Sequence, residues 1–367
     1  MKRMVFLIVY VILPVFLFSQ RWETVFPDSV FIRNGYINED NTVEMVGDFG
    51  NEGVYLKVFD DGQYEMFYFT APNGMRLNLQ NLILLDNGGY FVTGRMLSNR
   101  MDNTGELVIM ILDEELNVEN EQTIQVSEGF LGFIGGAAVK DDDGTIVLLE
   151  TARREHPNSP GSFQSIGVLF RFTQSGDCLN SRYLLANPPD PICYMNQIEP
   201  QKLMNDPFNQ QIVAVSPGQG GVQSLLFFDH DFNLTEDHFI DDTCFSLLEP
   251  GWQCKYVNDP DIGLWYQENE MLFVATQKDS EPSVNHPHVL VGKMNREGEV
   301  FEKREINKQD TLMYAGQMVY ANDSTIYVAV RCHTENYLSP FYPQVYLVNT
   351  QLEILGCISF WDHLSND

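Results

Sequence analysis

Along this chain apolar residues come in short alternating runs broken by polar turns, and no stretch keeps a helical spacing long enough to mark an amphipathic helix. Six segments superimpose: VYLKVFDDGQYEMFYF from Val54, VIMILDEELNVENEQTI from Val108, VLFRFTQSGDCLNSRYL from Val168, LLFFDHDFNLTEDHFI from Leu225, VLVGKMNREGEVFEKREI from Val289 and QVYLVNTQLEILGCISF from Gln344. Each holds a β-branched and aromatic run, a polar turn of about four residues and a second run with alternating apolar positions, the pattern of a β-hairpin. The turns are Asp60-Asp61-Gly62, Asp113-Glu114-Glu115, Thr173-Gln174-Ser175-Gly176, Asp229-His230-Asp231, Asn295-Arg296-Glu297-Gly298 and Asn349-Thr350-Gln351. Asp, Asn and Thr recur at the first position because their short side chains accept a backbone hydrogen bond within the turn.

The fourth hairpin also carries Asp229, Asp231, Asn233 and Glu236, which is half of a calcium loop. Its Leu234 stands where such a loop needs glycine, and the five sister turns hold no ligand set in that slot. The stretch therefore reads as a turn and not as a metal site.

A further run precedes each hairpin: NTVEMVG from Asn41, NGGYFVTG from Asn87, DGTIVLLE from Asp143, NQQIVAVS from Asn209, NEMLFVAT from Asn269 and DSTIYVAV from Asp323. Another extended piece lies before these, such as NLILLD ending at Asp86 and AAVKDD ending at Asp142. Four strands per unit follow. The turns from Asp60 to Asn349 recur about every 58 residues, and six such units fill about 348, the length of residues 20–367. Four short antiparallel strands repeated around a ring predict an all-β fold, a six-bladed β-propeller in which each blade buries its faces against its neighbours. A seven-bladed ring and a parallel β-helix are the competing architectures.

The openings Asp86-Asn87-Gly88-Gly89-Tyr90-Phe91-Val92-Thr93-Gly94 and Asp142-Asp143-Gly144-Thr145-Ile146-Val147 resemble the strand openings of secreted bacterial β-propeller repeat proteins. That resemblance implies a fold and not a reaction. The Asp boxes of sialidases are absent, Trp361-Asp362 is the only Trp-Asp pair, and Gly88-Gly89 and Gly135-Gly136 lack the regular counterparts that kelch repeats need. The 4 Trp are too scattered for the quinone-dependent dehydrogenase propellers.

The first residues, MKRMVFLIVYVILPVFLFSQ, combine a basic start with an apolar run interrupted by Pro14 and a small-residue site at Ser19-Gln20. This predicts a signal peptide over 1–19, a single propeller domain over 20–367, and a secreted or periplasmic protein. The mature chain is expected to have no membrane span. Formal net charge is −29, and loss of Lys2 and Arg3 with the leader makes it −31. Nucleic acid is thereby excluded as a partner, because binding it rests on cationic groups.

The 6 cysteines, in an exported chain, predict disulfides. Cys244 with Cys254 is the best local pair and Cys178 with Cys193 the next, the connectivity being otherwise open.

In a propeller the loops between second and third strands emerge on the same face as the loops between blades, and here both kinds are long. That face is the expected site of function. Its loops collect Arg95, Arg100, Arg153, Arg154, Lys278 and Arg331 with His156, His286, His288, His333 and Tyr337. Arg153, Arg154, His156, His286, His288, Arg331, His333 and Tyr337 are the ligand-binding candidates, suited to an anionic ligand. His286-Pro287-His288 with His333 is a weak candidate metal set. No nucleophile elbow, zinc-protease helix or phosphate loop occurs, and no cofactor is expected. The expected function is a monomeric, non-catalytic propeller binding a glycan or an extracellular protein. The alternative is a polysaccharide-degrading enzyme, a lyase or glycoside hydrolase, using the same face.

Overall fold

The computed structural model describes residues 30–359 except 39, 41, 60, 62, 99–103, 156–162, 185–201, 218–222, 241–260, 278–286, 308–310, 323 and 335–341. The described strands form six four-stranded antiparallel sheets, each built from four consecutive strands, arranged as a six-bladed β-propeller. Blade 1 is β1 (Val30–Ile37), β2 (Val43–Phe49), β3 (Glu52–Val58) and β4 (Tyr64–Phe69). Blade 2 is β5 (Arg76–Leu84), β6 (Tyr90–Leu97), β7 (Glu106–Leu112) and β8 (Val118–Ile124). Blade 3 is β9 (Gly132–Lys140), β10 (Ile146–Glu155), β11 (Phe163–Phe172) and β12 (Cys178–Tyr183). Blade 4 is β13 (Lys202–Asp206), β14 (Gln211–Pro217), β15 (Gln223–Phe228) and β16 (Leu234–Phe239). Blade 5 is β17 (Asp261–Gln267), β18 (Glu270–Gln277), β19 (His288–Asn295) and β20 (Val300–Ile306). Blade 6 is β21 (Thr311–Asn322), β22 (Thr325–Thr334), β23 (Tyr342–Asn349) and β24 (Ile354–Ser359). The six hairpins read from the sequence are the third and fourth strands of the six blades, and the runs before them are the second strands.

In blades 2 to 5 the second and third strands are buried on both faces, as in Tyr90–Leu97 and Glu106–Leu112, while the outer strand β8 is mostly exposed. Apolar residues therefore pack between blades rather than within them. Separate clusters fill the junctions of blades 1 and 2, 2 and 3, 3 and 4, 4 and 5, and 5 and 6. Among the described residues the only helix is a 3-10 turn at Pro72–Gly74, and no helix is long and apolar enough to cross a membrane.

The hairpin turns share one hydrogen-bond device. The side chain opening the turn accepts from the amide four residues on: Asp113 from Asn117 at 2.8 Å, Thr173 from Asp177 at 3.0 Å, Asp229 from Asn233 at 2.8 Å, Asn295 from Glu299 at 2.8 Å and Asn349 from Glu353 at 2.7 Å. Asp229 also accepts from the Asp231 amide at 3.0 Å and from Asn233 Nδ2 at 2.9 Å, so its carboxylate serves the turn. The residue before the last of these amides sits at positive φ: Leu116 at 66°, Gly176 at 93°, Phe232 at 62°, Gly298 at 85° and Leu352 at 60°.

A leucine or phenylalanine in that region is strained, and burial offsets the strain. Phe232 is fully buried in the junction with blade 3, Leu352 is buried in the junction with blade 5, and Leu116 packs on the junction with blade 1. Blades 3 and 5 place glycine there instead, and Gly62 holds the corresponding chain position of blade 1. Two residues before the turn the pattern reverses, with Arg171 and Lys293 in blades 3 and 5 against Ile111, Phe227 and Leu347 in blades 2, 4 and 6, and Lys57 lies three before the Asp60 turn of blade 1. At the junction of blades 2 and 3 a glycine meets a large side chain: a Cβ added to Gly176 would lie 3.2 Å from Ile111 Cγ1. Cation meets aromatic ring as well, the Arg171 guanidinium lying 5.3 Å from the Phe232 centroid.

Phe232→Ala should cost about 3–5 kcal/mol in denaturant unfolding, the range for emptying a buried aromatic site. Gly176→Ala should also destabilise, through positive φ and the contact with Ile111. Adding Ile111→Val should recover part of that loss, and strictly additive effects in the double variant would refute the large-against-small junction.

Candidate functional site

The chain meanders, so the ends of second strands and the starts of third strands lie on one face of the ring. Arg153 and Arg154 at the end of β10, His288 at the start of β19, and Arg331 and His333 at the end of β22 all belong to it. The Arg153 guanidinium stacks 4.0 Å from the Phe163 ring centroid and that of Arg154 lies 5.8 Å from Phe130. Arg331 is exposed, but His288 and His333 are buried. His288 shares the sheet face of Leu290, which packs toward blade 4, and its Nε2 lies 3.8 Å from Glu305. His333 stands on the opposite face of β22 from Cys332, which packs toward blade 5. The two imidazoles thus turn away from each other and do not form the metal pair suggested by the sequence.

His156, His286, Tyr337, Arg100, Lys278, Cys193, Cys244 and Cys254 lie outside the described residues. Cys178, on the outer strand β12, and Cys357, on β24, are free thiols.

The densest charged group on this face was not among the sequence candidates, apart from Arg95. Arg33 on the inner strand β1 and Arg76 at the start of the inner strand β5 both reach Asp48 on β2. Arg33 Nη2 lies 3.3 Å from Asp48 Oδ1, and Arg76 pairs with Oδ2. The Asp48 side chain is fully buried, whereas that of Arg33 is 45% exposed and that of Arg76 21%. Arg95, on β6 of the next blade, is held by Gln80, whose amide oxygen accepts from Nε at 2.9 Å and Nη2 at 3.1 Å once the amide is turned toward the guanidinium. Burial holds the Arg95 pKa below the usual arginine value, with the charges of Arg33 and Arg76 acting in the same sense and Glu150 and Asp48 opposing. Arg76 Nε and Asn78 Oδ1 are buried without hydrogen-bond partners.

Glu150 on β10 completes the group. It shares the sheet face of Ile146 and Leu148, and Arg95 that of Phe91, so both enter the junction of blades 2 and 3. The equivalent register position is Gly47, Gly94, Ser216, Ala275 and Val330 in the other blades, paired with third-strand residues in the same ladder. Glu150 is completely buried and neither carboxylate oxygen has a hydrogen-bond partner. Its chain fits because its ladder partner on the inner strand is Gly136, where a Cβ would stand 2.9 Å from the Glu150 carboxyl carbon. Burial pushes its pKa up to about 8, against the opposing charge of Arg95. At neutral pH Glu150 is therefore a neutral acid facing the Arg95 guanidinium, while Arg33 and Arg76 pair with Asp48.

On the opposite face Asp141, Asp143 and His230 bring ligand-type atoms within 4.8 Å of one another. Arg171 Nη1 already occupies that space, 2.7 Å from Asp141 and 3.4 Å from Asp143, so the local charge is compensated by a side chain.

No protein-family model and no curated protein matches the chain. Solved structures resemble it in fold. A protein of unknown function from Dyadobacter fermentans DSM 18053 aligns at TM-score 0.54 and 12% identity, over 88% of this chain and 96% of its own. Virginiamycin B lyase from Staphylococcus aureus aligns at TM-score 0.48 and 10% identity, over 91% and 97%. Polysaccharide lyase Uly1 aligns at TM-score 0.46 and 9% identity, over 91% and 90%. The likeness is that of β-propellers as a class and extends to no reaction.

The raised pKa of Glu150 has a measurable consequence. In the unfolded chain the carboxyl ionises near 4.5, and in the fold only near 8. The stability contributed by the neutral acid is complete below pH 4.5 and is lost as pH rises toward 8, by at most a few kcal/mol. Glu150→Gln should therefore melt progressively higher relative to wild type from pH 5 to 8, and the Tm difference should level off above that. A pH-independent difference would refute the neutral carboxyl.

Proposed function

We propose that this protein is an exported, non-catalytic binding propeller that takes an anionic ligand, an acidic glycan or a carboxylate-rich extracellular protein segment, through its long-loop face. The observation that carries the reading is the pairing of Arg33 and Arg76 with the one buried carboxylate of Asp48, with the charge of Arg95 close enough to act on the same group. In a chain with 22 basic and 51 acidic residues, three arginines gathered on the first and second strands of blades 1 and 2 make a local field opposite to that of the whole. A guanidinium holds a carboxylate with two parallel hydrogen bonds, and the exposed arm of Arg33 supplies donors. Arg153 and Arg154 extend the basic character along the same face.

The second reading, a polysaccharide-degrading enzyme, is favoured by one feature, the near-neutral titration of Glu150. Complete burial argues against that role, since a general acid or base must touch the proton it moves. The fold accommodates either, as the lyases among the similar structures illustrate.

Calorimetry with oligogalacturonate, matched against neutral cello-oligosaccharide, tests the proposal. Arg33→Ala with Arg95→Gln should weaken uronate binding about tenfold or more, and raised salt should weaken it in the wild type because exposed charges are screened over about 8–10 Å. The same mixtures are analysed for shortened or unsaturated products. Equal affinity for the neutral chains, or affinity unchanged in the double variant, would refute the site, and product release would establish the enzyme reading instead.

A further inference from the structure

Among the described residues no strand pairs with the outer side of any blade's fourth strand, and such edges join other strands unless charge or irregularity prevents it. Five of the six outer strands carry charged residues: Glu65 in β4, Glu119 and Glu121 in β8, Arg182 in β12, Glu236 and Asp237 in β16, and Glu302 to Glu305 in β20. β24 is the exception. Ile354-Leu355-Gly356-Cys357-Ile358-Ser359 has no charge, and Ile354, Leu355 and Ile358 are 38%, 54% and 46% exposed. Cys357 is an exposed free thiol and nothing lies within 4 Å of the Cβ position of Gly356, so the strand is also sterically open.

We propose that β24 is a self-pairing edge, through which two copies of this chain join antiparallel about a two-fold axis, the sixth blades merging into one eight-stranded sheet. The argument for a second copy is electrostatic and geometric. At a net charge of −29, two copies repel over most of their surface, and β24 is the outer strand where contact sets no like charges against each other. A basic partner would be drawn instead to the acidic strands β8 and β16. A strand paired with its own copy is self-complementary whatever its sequence, as a two-fold interface requires. The strand spans about 20 Å, so the buried area is small and the association reversible, shifting with concentration. Because the barrier is like-charge repulsion, added salt should promote the dimer, opposite in sign to its effect on binding at the arginine cluster. The inference is independent of the ligand proposal, and it replaces the monomer expected from sequence.

Light scattering on the full mature chain, from about 1 μM to about 300 μM, reads the outcome directly. The wild type should pass from one chain mass to two as concentration rises, at lower concentration in higher salt. Leu355→Lys with Ile358→Lys restores to β24 the charge of its sister strands and should remain one chain throughout, with an unchanged melting temperature. Phe301→Lys, on the already charged outer strand β20, should dimerise like the wild type. A wild type that stays monomeric across the range, or a dimer that survives the double lysine change, overturns the proposal. A monomer whose β24 amides resist hydrogen exchange also overturns it, by assigning the edge to another part of the same chain.

Discussion

The constraint on which the rest of this molecule depends is that no blade can bury its own faces. In blades 2 to 5 the second and third strands are buried on both sides, so those sheets gain their stability from the sheets beside them. The hairpin turn matters for that reason. Its positive-φ position delivers a leucine or phenylalanine into some junctions and a glycine into others, and Gly176 meets Ile111 where Phe232 meets Arg171. Strain at Leu116, Phe232 and Leu352 is tolerated because each side chain packs against the preceding blade. The chain thereby acquires a two-blade periodicity within its one-blade repeat, with lysine or arginine standing in blades 1, 3 and 5 where blades 2, 4 and 6 are apolar.

A ring stacked in this way is rigid, and rigidity lets it hold charge where a looser scaffold would not. Asp48 is fully buried, but two arginines from different blades meet it. Asn81 on β5 donates to Thr93 at 2.8 Å and accepts from the Ala138 amide at 3.2 Å, tying the inner strand of blade 2 to that of blade 3. Glu150 is the one buried carboxylate here that the ring leaves without hydrogen bonds, and it responds by keeping its proton. The result is a mouth between blades 1 and 3 whose charge is opposite to that of the molecule. The far face, with tight turns and compensated pairs such as Asp141 with Arg171, has no comparable excess.

The hairpins, the strands before them and the number of blades were legible in the sequence because they are local. Alternation at period two and a short acceptor at the turn are set by neighbours a few residues away, and the regular spacing then implies a ring. The reading of Asp229 as a turn residue follows from the same locality, since its carboxylate binds amides two and four residues on. Glu150 also left a trace, being a carboxylate where the repeat elsewhere has glycine, serine, alanine or valine. Read from position alone, His288 and His333 both belong to the long-loop face, and they do. The opposite directions of their side chains depend on which face of each strand meets which neighbour.

By itself, then, the sequence determined a ring of six four-stranded blades, its acidity, and the face on which the long loops gather. Only the tertiary structure decided that Arg33 and Arg76 meet at Asp48, that Arg95 faces Glu150, and that Gly176 meets Ile111 across a junction. Those encounters join residues up to a blade apart in the chain. They arise from the stacking angle of rigid sheets, and no local pattern of apolar and polar positions encodes that angle.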